Sequence, residues 1–350
     1  MTDTKKTRIA INGFGRIGRA FLKLAYTKYP EIEIVAINDL GNIENLAYLL
    51  EFDTAQGMSH LDIDINADKT HMHVNGDDIR VLSEREPQNL PWSELDVDVV
   101  VECTGFFTKY DMAALHLDAG AKHVLISAPG KGESRPGVES ATVIMGVNTE
   151  RAATCQITSN GSCTTNASAP LMSILSETIG VEKALLNTTH GYTATQSVVD
   201  APVRGSDFRK GRAAAQNIIP TSTGAAIAVT QALPELVDKF DGIACRVPVV
   251  AGSIADVTFL ASRDTTVEEI NEILIKAANE DRWAGIFAVS TDPIVSSDII
   301  GSTHASIADL PMTRVVGGNL VKVMAWYDNE MGYTNTLIRH SIQVGKNLNS

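Results

Sequence analysis

A cysteine set among small hydroxyl residues is the first group in this sequence able to form a covalent bond to a substrate. The block Ser159-Asn160-Gly161-Ser162-Cys163-Thr164-Thr165-Asn166 precedes an apolar, helix-like stretch from Pro170. A thiol at a helix N-terminus has a lowered pKa and is a better nucleophile, because the thiolate is the attacking form. The other cysteines read as small buried apolar residues: Cys103 and Cys245 fall in apolar strands, and Cys155 is assigned with them. No C-x-x-C pair occurs and the eight histidines are scattered, so no metal site is expected. His71 and His73 alternate on a short surface strand and read as structural.

A second constellation concerns phosphate and ribose. Gly13-x-Gly15-x-x-Gly18 follows an apolar run and opens a helix pattern, where backbone can approach a pyrophosphate at the helix N-terminus. The motif alone would also fit a tight strand-to-helix turn. Asp39, 21 residues past Gly18, closes the next apolar run, where a carboxylate accepts from the ribose hydroxyls of a dinucleotide. A carboxylate there would repel a 2′-phosphate, which favours NAD over NADP.

The elements that must position these groups can be read from periodicity. Arg8 to Asn12 is a short buried strand, Arg16 to about Tyr29 a helix with Ile17, Phe21, Leu24 and Ala25 on one face, and Glu33 to Ile37 a second strand. That is a βαβ unit. Val97 to Val101 and His123 to Ile126 have the continuous apolar character of parallel strands, at whose carboxyl ends ligands bind. Beyond about residue 160 the strands alternate, as around Val257 and Phe259 and around Val321 and Val323, which indicates an antiparallel sheet. Thr266-x-x-Glu269 has the form of a capping box ahead of Val267, Ile270, Leu274 and Ala277. Gly332 to Leu348 reads as a last amphipathic helix, and residues 129–137 as an exposed loop.

At 350 residues, 44% hydrophobic and 20% charged, the chain has the composition of two domains with real cores. Against 29 basic residues stand 42 acidic ones, a net charge of −13 that argues against direct nucleic-acid binding or an anionic membrane surface. Phosphate must therefore be bound by local groups. Four cysteines behind the polar leader Met1–Lys6 fit a reducing cytoplasm, and no apolar run reaches the length of a membrane span.

The block SNGSCTTN, together with His190 to Gln196, Gly211 to Ala214, Asn217 to Gly224, Trp326 to Glu330 and the opening Asn12 to Arg19, resembles the phosphorylating glyceraldehyde-3-phosphate dehydrogenases over nearly the whole chain. The resemblance implies a doubly wound NAD-binding (Rossmann) domain, residues 1–162, with the helix 330–350 packing back on it. The catalytic domain, 163–329, would be α+β with a mixed, largely antiparallel sheet. It implies Cys163 as nucleophile and His190 as base, and a homotetramer acting on glyceraldehyde 3-phosphate and inorganic phosphate. Cofactor positions carried over are Asn12, Gly13, Arg16, Ile17, Asp39, Arg85, Thr104, Gly105, Ser127 and Asn329. The substrate phosphate maps to Thr193, Thr195 and Arg246, and the inorganic phosphate to Ser162, Thr164, Thr223 and Gly224.

Arg246 lies in the apolar run Ala244 to Pro248, where a guanidinium needs an anionic partner, either a substrate or an internal carboxylate. Erythrose-4-phosphate dehydrogenases share the nucleophile and base but usually lack the Tyr-Thr-Ala-Thr-Gln run, so Thr193 and Thr195 favour the three-carbon substrate. Retention of Cys163, His190 and Arg246 argues against a purely non-catalytic binding role. Departures from the family pattern are Ala167 for a second cysteine, Ile227 for a lysine, Met331 for a tryptophan, and longer loops at 130–140 and 203–206. Leu40 and Pro202 resemble the NAD-using members.

Overall fold

The structure is a computed structural model that describes residues 5–203 and 205–349. Only the last two residues of the polar leader fall within that range, and the expected loop extension at 203–206 includes residue 204, which lies outside it. The chain divides into two compact units.

The first unit comprises residues 1–143, 149–161 and 334–350. Its strands are β1 (Thr7–Asn12), β2 (Ile32–Asn38), β3 (Ile63–Ile65), β4 (His71–Val74), β5 (Asp77–Leu82), β6 (Val99–Glu102), β7 (His123–Ile126), β8 (Ser140–Thr142) and β9 (Ile157–Ser159). They form one sheet in the order β3-β4-β5-β2-β1-β6-β7-β9-β8. The pairings are parallel from β5 to β8, and antiparallel only in the β3-β4-β5 meander at one edge. Sequence order reverses at β1, between β2 and β6, and a doubly wound sheet opens its ligand crevice at such a switch point. Ile9, Ala10, Ile11, Val99, Val100 and Val101 are fully buried, as the continuous apolar runs require of strands covered on both faces. The helices of this unit are α1 (Arg16–Lys28), α2 (Ile43–Glu51) and the single turns α3 (Tyr110–Ala113) and α4 (Leu115–Asp118).

The second unit takes residues 144–148 and 162–333. The short segment 144–148 departs from an undivided block 1–162, because Ile144 and Met145 are buried in the core of the second unit. Here α5 (Cys163–Thr178) is followed by β10 (Val181–Gly191), β11 (Ile219–Ser222), α6 (Ala225–Ala232), β12 (Phe240–Val247) and β13 (Ser253–Ala261). Then come α7 (Val267–Ala278), β14 (Phe287–Ser290), β15 (Ser306–Asp309), β16 (Arg314–Val316) and β17 (Leu320–Tyr327). The sheet runs β11-β12-β10-β13-β17-β15-β14, with β16 added to β17. It is mixed: β10 pairs with β12 in parallel and with β13 antiparallel. One face, with Val257, Phe259, Val321 and Val323, packs on Leu171 and Leu175 of α5, Val229 of α6 and Ile270 and Leu274 of α7. The other face leaves Leu185, Ile243 and Leu320 exposed.

Two local expectations change. The helix at the cysteine begins at Cys163 and not at Pro170, which sits inside it, because Ser162 and Thr165 close a reciprocal capping box ahead of Cys163. At α7 the box is only half formed: Thr266 accepts from the Glu269 N–H, but the Glu269 carboxylate pairs with Arg263 and Thr265 instead of turning back. The last helix, α8 (Met331–Leu348), joins the first unit from Thr334 onward.

Candidate active site

Cys163 occupies the first position of α5, and its Sγ lies 3.2 Å from Nε2 of His190, the next-to-last residue of β10. The sulfur thus sits where the N–H groups and dipole of a 16-residue helix favour negative charge. Burial nevertheless pushes the Cys163 thiol up, while the charge of Arg246 and the backbone N–H groups of Thr164 and Cys163 pull it back. The lowered thiol pKa expected from the helix N-terminus is therefore outweighed by desolvation. His190 is buried, and burial reinforced by the Arg246 charge drops its pKa to about 3, so the imidazole is neutral at physiological pH. A neutral imidazole 3.2 Å from the thiol has the geometry of a general base.

Arg246 enters from β12, in register beside His190 in the parallel β10-β12 pair. Its Nη1 is 2.6 Å from His190 Nδ1 and donates to the Gly191 carbonyl at 3.1 Å. No carboxylate among the described residues pairs with it, so the half-buried guanidinium has no internal salt bridge there. Thr193 and Thr195 follow on the loop after β10, with their hydroxyls 2.9 Å apart. Ser162 caps α5. Thr223 caps the Ala225 N–H, and Gly224 is the exposed N-cap of α6. Thr164 is buried, with its hydroxyl 2.9 Å from that of Tyr327.

In the first unit the three glycines take three different tasks. Gly13 has φ +97°, and a Cβ there would stand 2.6 Å from the Thr104 nitrogen. At Gly18 a Cβ would meet the Gly13 carbonyl oxygen at 2.3 Å, so α1 can pack closely on β1. Gly15, the N-cap of α1, faces open space and supplies no capping side chain, and the first helical turn carries no acid. That leaves a positive helix end with room for a pyrophosphate. Asp39, just past β2, is held by the N–H groups of Phe14 (2.7 Å) and Gly41 (2.8 Å), which fixes its carboxylate beside the turn. These residues fit a dinucleotide.

The remaining cofactor assignments divide. Thr104, Gly105 and Ser127 lie just past the ends of β6 and β7, and Thr104 donates to Glu102 while accepting from the Phe106 N–H. Ile17 is half-buried in the first turn of α1, and Arg85 is exposed past β5. Arg16 is engaged by Asp53 at 2.8 Å; burial opposes ionisation of that acid, but Arg16, the Gln56 N–H and Lys23 hold it at about 2. Asn12 departs from its assignment: its amide is buried, donates to Glu102 and accepts from Asn38, so the side chain serves the core. Asn329 belongs to the second unit, where its Oδ1 accepts from the Gly252 N–H and the Ser253 hydroxyl.

Two family descriptions match this chain, "Glyceraldehyde 3-phosphate dehydrogenase, NAD binding domain" over residues 7–110 and "Glyceraldehyde 3-phosphate dehydrogenase, C-terminal domain" over residues 162–329. The chain is 46% identical over 333 residues to the glyceraldehyde-3-phosphate dehydrogenase of Geobacillus stearothermophilus, covering 95% of this chain and 96% of that one. It is 45% identical over 337 residues to that of Clostridium pasteurianum, covering 95% and 97%. The plasmid-borne enzyme of Cupriavidus necator is 47% identical over 334 residues, covering 95% and 96%. The chain belongs to the glyceraldehyde 3-phosphate dehydrogenase family.

Three features of this family member escaped sequence reasoning. Tyr327 is fully buried, with its hydroxyl shared between Thr164 (2.9 Å) and Thr188 (2.7 Å) and its ring edge-on to His190 at 5.8 Å. It forms the wall behind the imidazole. Beneath the glycine turn lies a buried chain of polar groups, Asn38 to Asn12 to Glu102 to His116 to Trp92. The Trp92 N–H donates to His116 Nδ1, so Nε2 carries the proton that faces Glu102. The third is Asp53, which ties Arg16 and Lys23 to the turn at residues 54–56 through the N–H groups of Ala55 and Gln56. Alternation of apolar and polar types could have placed Tyr327 on the buried face of its strand. Nothing in the sequence signals pairings between polar residues up to 163 positions apart.

Proposed function

We propose that this protein oxidises glyceraldehyde 3-phosphate with NAD and inorganic phosphate to 1,3-bisphosphoglycerate, with Cys163 as nucleophile and His190 as base. The observation that carries the reading is the Cys163–His190 contact at a helix N-terminus, with a guanidinium beside it that no carboxylate among the described residues neutralises. The thiol attacks the aldehyde carbon and its proton passes by way of His190 Nε2 to the carbonyl oxygen, giving a hemithioacetal and leaving the imidazole neutral again. The imidazole then takes the hemithioacetal hydroxyl proton, while the N–H groups at the start of α5 stabilise charge on the oxygen. The chemistry NAD supplies when bound is acceptance of a hydride from that carbon, which leaves a thioester on Cys163. Inorganic phosphate attacks the thioester, the C–S bond breaks, and the acyl phosphate departs as the thiol is regenerated.

Arg246, Thr193 and Thr195 bind the substrate phosphate in this reading; Ser162, Thr164, Thr223 and the Gly224 turn bind the inorganic one. A guanidinium and several hydroxyls suit an anion rich in acceptors on a chain of net charge −13. Asp39 accepts from the ribose hydroxyls of NAD, and the Gly13 to Gly18 turn receives the pyrophosphate. A homotetramer working in the cytoplasm belongs to the same reading. It is supported by the exposed apolar side chains of Leu185, Ile243 and Leu320 on one sheet face, by free cysteines, and by the absence among the described residues of a helix long and apolar enough to cross a membrane. The direct test is NADH formation from glyceraldehyde 3-phosphate and NAD. Sustained turnover that requires inorganic phosphate is expected; sustained turnover independent of phosphate would overturn the phosphorylating reaction.

A further inference from the structure

The last residues of three adjacent parallel strands, Asn38 of β2, Asn12 of β1 and Glu102 of β6, stand in register at the switch point of the first unit's sheet. Their side chains are buried and bonded in a chain whose direction is fixed. The Glu84 N–H donates to Asn38 Oδ1 and the Glu84 carbonyl accepts from Asn38 Nδ2, which orients that amide. Asn38 Nδ2 therefore also donates to Asn12 Oδ1 (2.7 Å), and Asn12 Nδ2 donates to Glu102 Oε2 (2.5 Å). From another side the Trp92 N–H on Nδ1 makes His116 a donor, with its Nε2 3.3 Å from the same oxygen. The Phe106 N–H donates to the Thr104 hydroxyl, and that hydroxyl and the Thr104 N–H (2.8 Å) both donate to Glu102 Oε1. Three donor chains thus end on one carboxylate, with which no lysine or arginine among the described residues pairs. A buried carboxylate is tolerated only with its acceptor sites filled, as they are here.

We infer that Glu102 is a positioning residue for the nicotinamide half of the cofactor, holding through Thr104 the strand end that receives it. The inference rests on the NAD site proposed above. The order of groups along the sheet gives the direction of the dinucleotide. Asp39 follows Asn38 and takes the adenosine ribose, and Gly13 follows Asn12 and opens the pyrophosphate turn. The turn after Glu102 is left for the second ribose and the nicotinamide. Thr104 has no proton to offer a ligand, since both of its donors are spent on Glu102. Its part in binding is therefore to place the backbone from Thr104 to Phe106, which passes through Gly105 at φ +75°. There is little slack, because a Cβ at Gly13 would already stand 2.6 Å from the Thr104 nitrogen. Glu102→Gln turns one acceptor oxygen into a donor that faces donors, and so displaces this turn. The adenosine side keeps its own anchors, the Phe14 and Gly41 N–H groups on Asp39.

The test is calorimetry on the full chain, wild type and Glu102→Gln, with NAD and with ADP, which carries the adenosine and pyrophosphate but lacks the nicotinamide half. The variant should bind NAD about tenfold more weakly or worse, the scale of a buried donor left unsatisfied, and ADP within about twofold of wild type. Thr104→Val, which removes only the hydroxyl link and leaves the carboxylate, should weaken NAD severalfold with ADP unchanged, and it carries the test if Glu102→Gln does not fold. Equal losses for NAD and ADP would make Glu102 a residue of the fold alone and overturn the inference, as would NAD binding indifferent to the substitutions. In either case a wild-type chain that binds both ligands keeps the proposed cofactor site. If wild type binds neither, the site and the inference fall together.

Discussion

Exchanging His190 for Asn keeps a polar side chain at the sulfur but removes the imidazole proposed to accept its proton. Turnover should fall by ~10²–10⁴, the worth of a positioned general base, and a loss under threefold in steady-state assays would assign the proton to another residue. Asp39 bears on the cofactor in the same way. Its oxygens take the Phe14 and Gly41 N–H groups, which fixes the carboxylate proposed to accept the ribose hydroxyls and repel a 2′-phosphate. Asp39→Ala should narrow the preference for NAD over NADP in kcat/KM by at least tenfold; an unchanged ratio would place the discrimination elsewhere. At this scale the sequence was informative about residue type and less so about state. Cys163, His190 and Arg246 were legible from their neighbours in the chain and their likeness to a family. The direction of the thiol shift was not, because it depends on how much water the fold excludes around the sulfur. The buried hydroxyl of Thr164 escaped for a related reason, since its partner Tyr327 is 163 residues away.

The β1-α1-β2 element was almost fully legible, because continuous apolar runs, three glycines and a closing acid each constrain the backbone independently. Its glycines give a paired prediction. Gly13→Ala forces a side chain into φ +97° and against Thr104, so it should lower the melting temperature by several degrees and abolish NAD binding. Gly15→Ala meets no atom of the protein within 4 Å, so it should melt like wild type yet bind NAD at least tenfold more weakly in calorimetry. Equal effects at the two positions would contradict the separate roles of fold and ligand approach. What the element conceals is its floor, the Asn12–Glu102–His116–Trp92 network, which joins β1 to β6 through residues that read as ordinary strand-end polar groups. Short signals had similar limits at α5 and α7. Apolar periodicity started α5 at Pro170, seven residues late, because the first two turns are made of small polar residues whose helicity comes from the Ser162 cap.

Three buried histidines give the whole molecule an acid-sensitive stability. His123 and His340 of the first unit and His190 of the second are each held by burial at about 3, against an ordinary value of 6.5. The unfolded chain binds these protons at a higher pH than the folded one, so stability is unaffected above about pH 7. It falls as pH drops from 6.5 toward 3, by about 1.4 kcal/mol per pH unit for each histidine. Melting temperature should therefore decline steeply between pH 6.5 and 5, and His340→Gln should soften the decline; a flat profile over that range would show that these rings are protonated in the fold. The central claim, that one thiol in the chain carries the substrate as an acyl group, is tested most directly by intact-protein mass spectrometry after mixing with glyceraldehyde 3-phosphate and NAD in the absence of phosphate. One phosphoglyceroyl group per chain is expected, mapped by digestion to Cys163 and not to Cys103, Cys155 or Cys245, and discharged when inorganic phosphate is added. An adduct on another residue, or steady NADH formation with no adduct, would contradict the account.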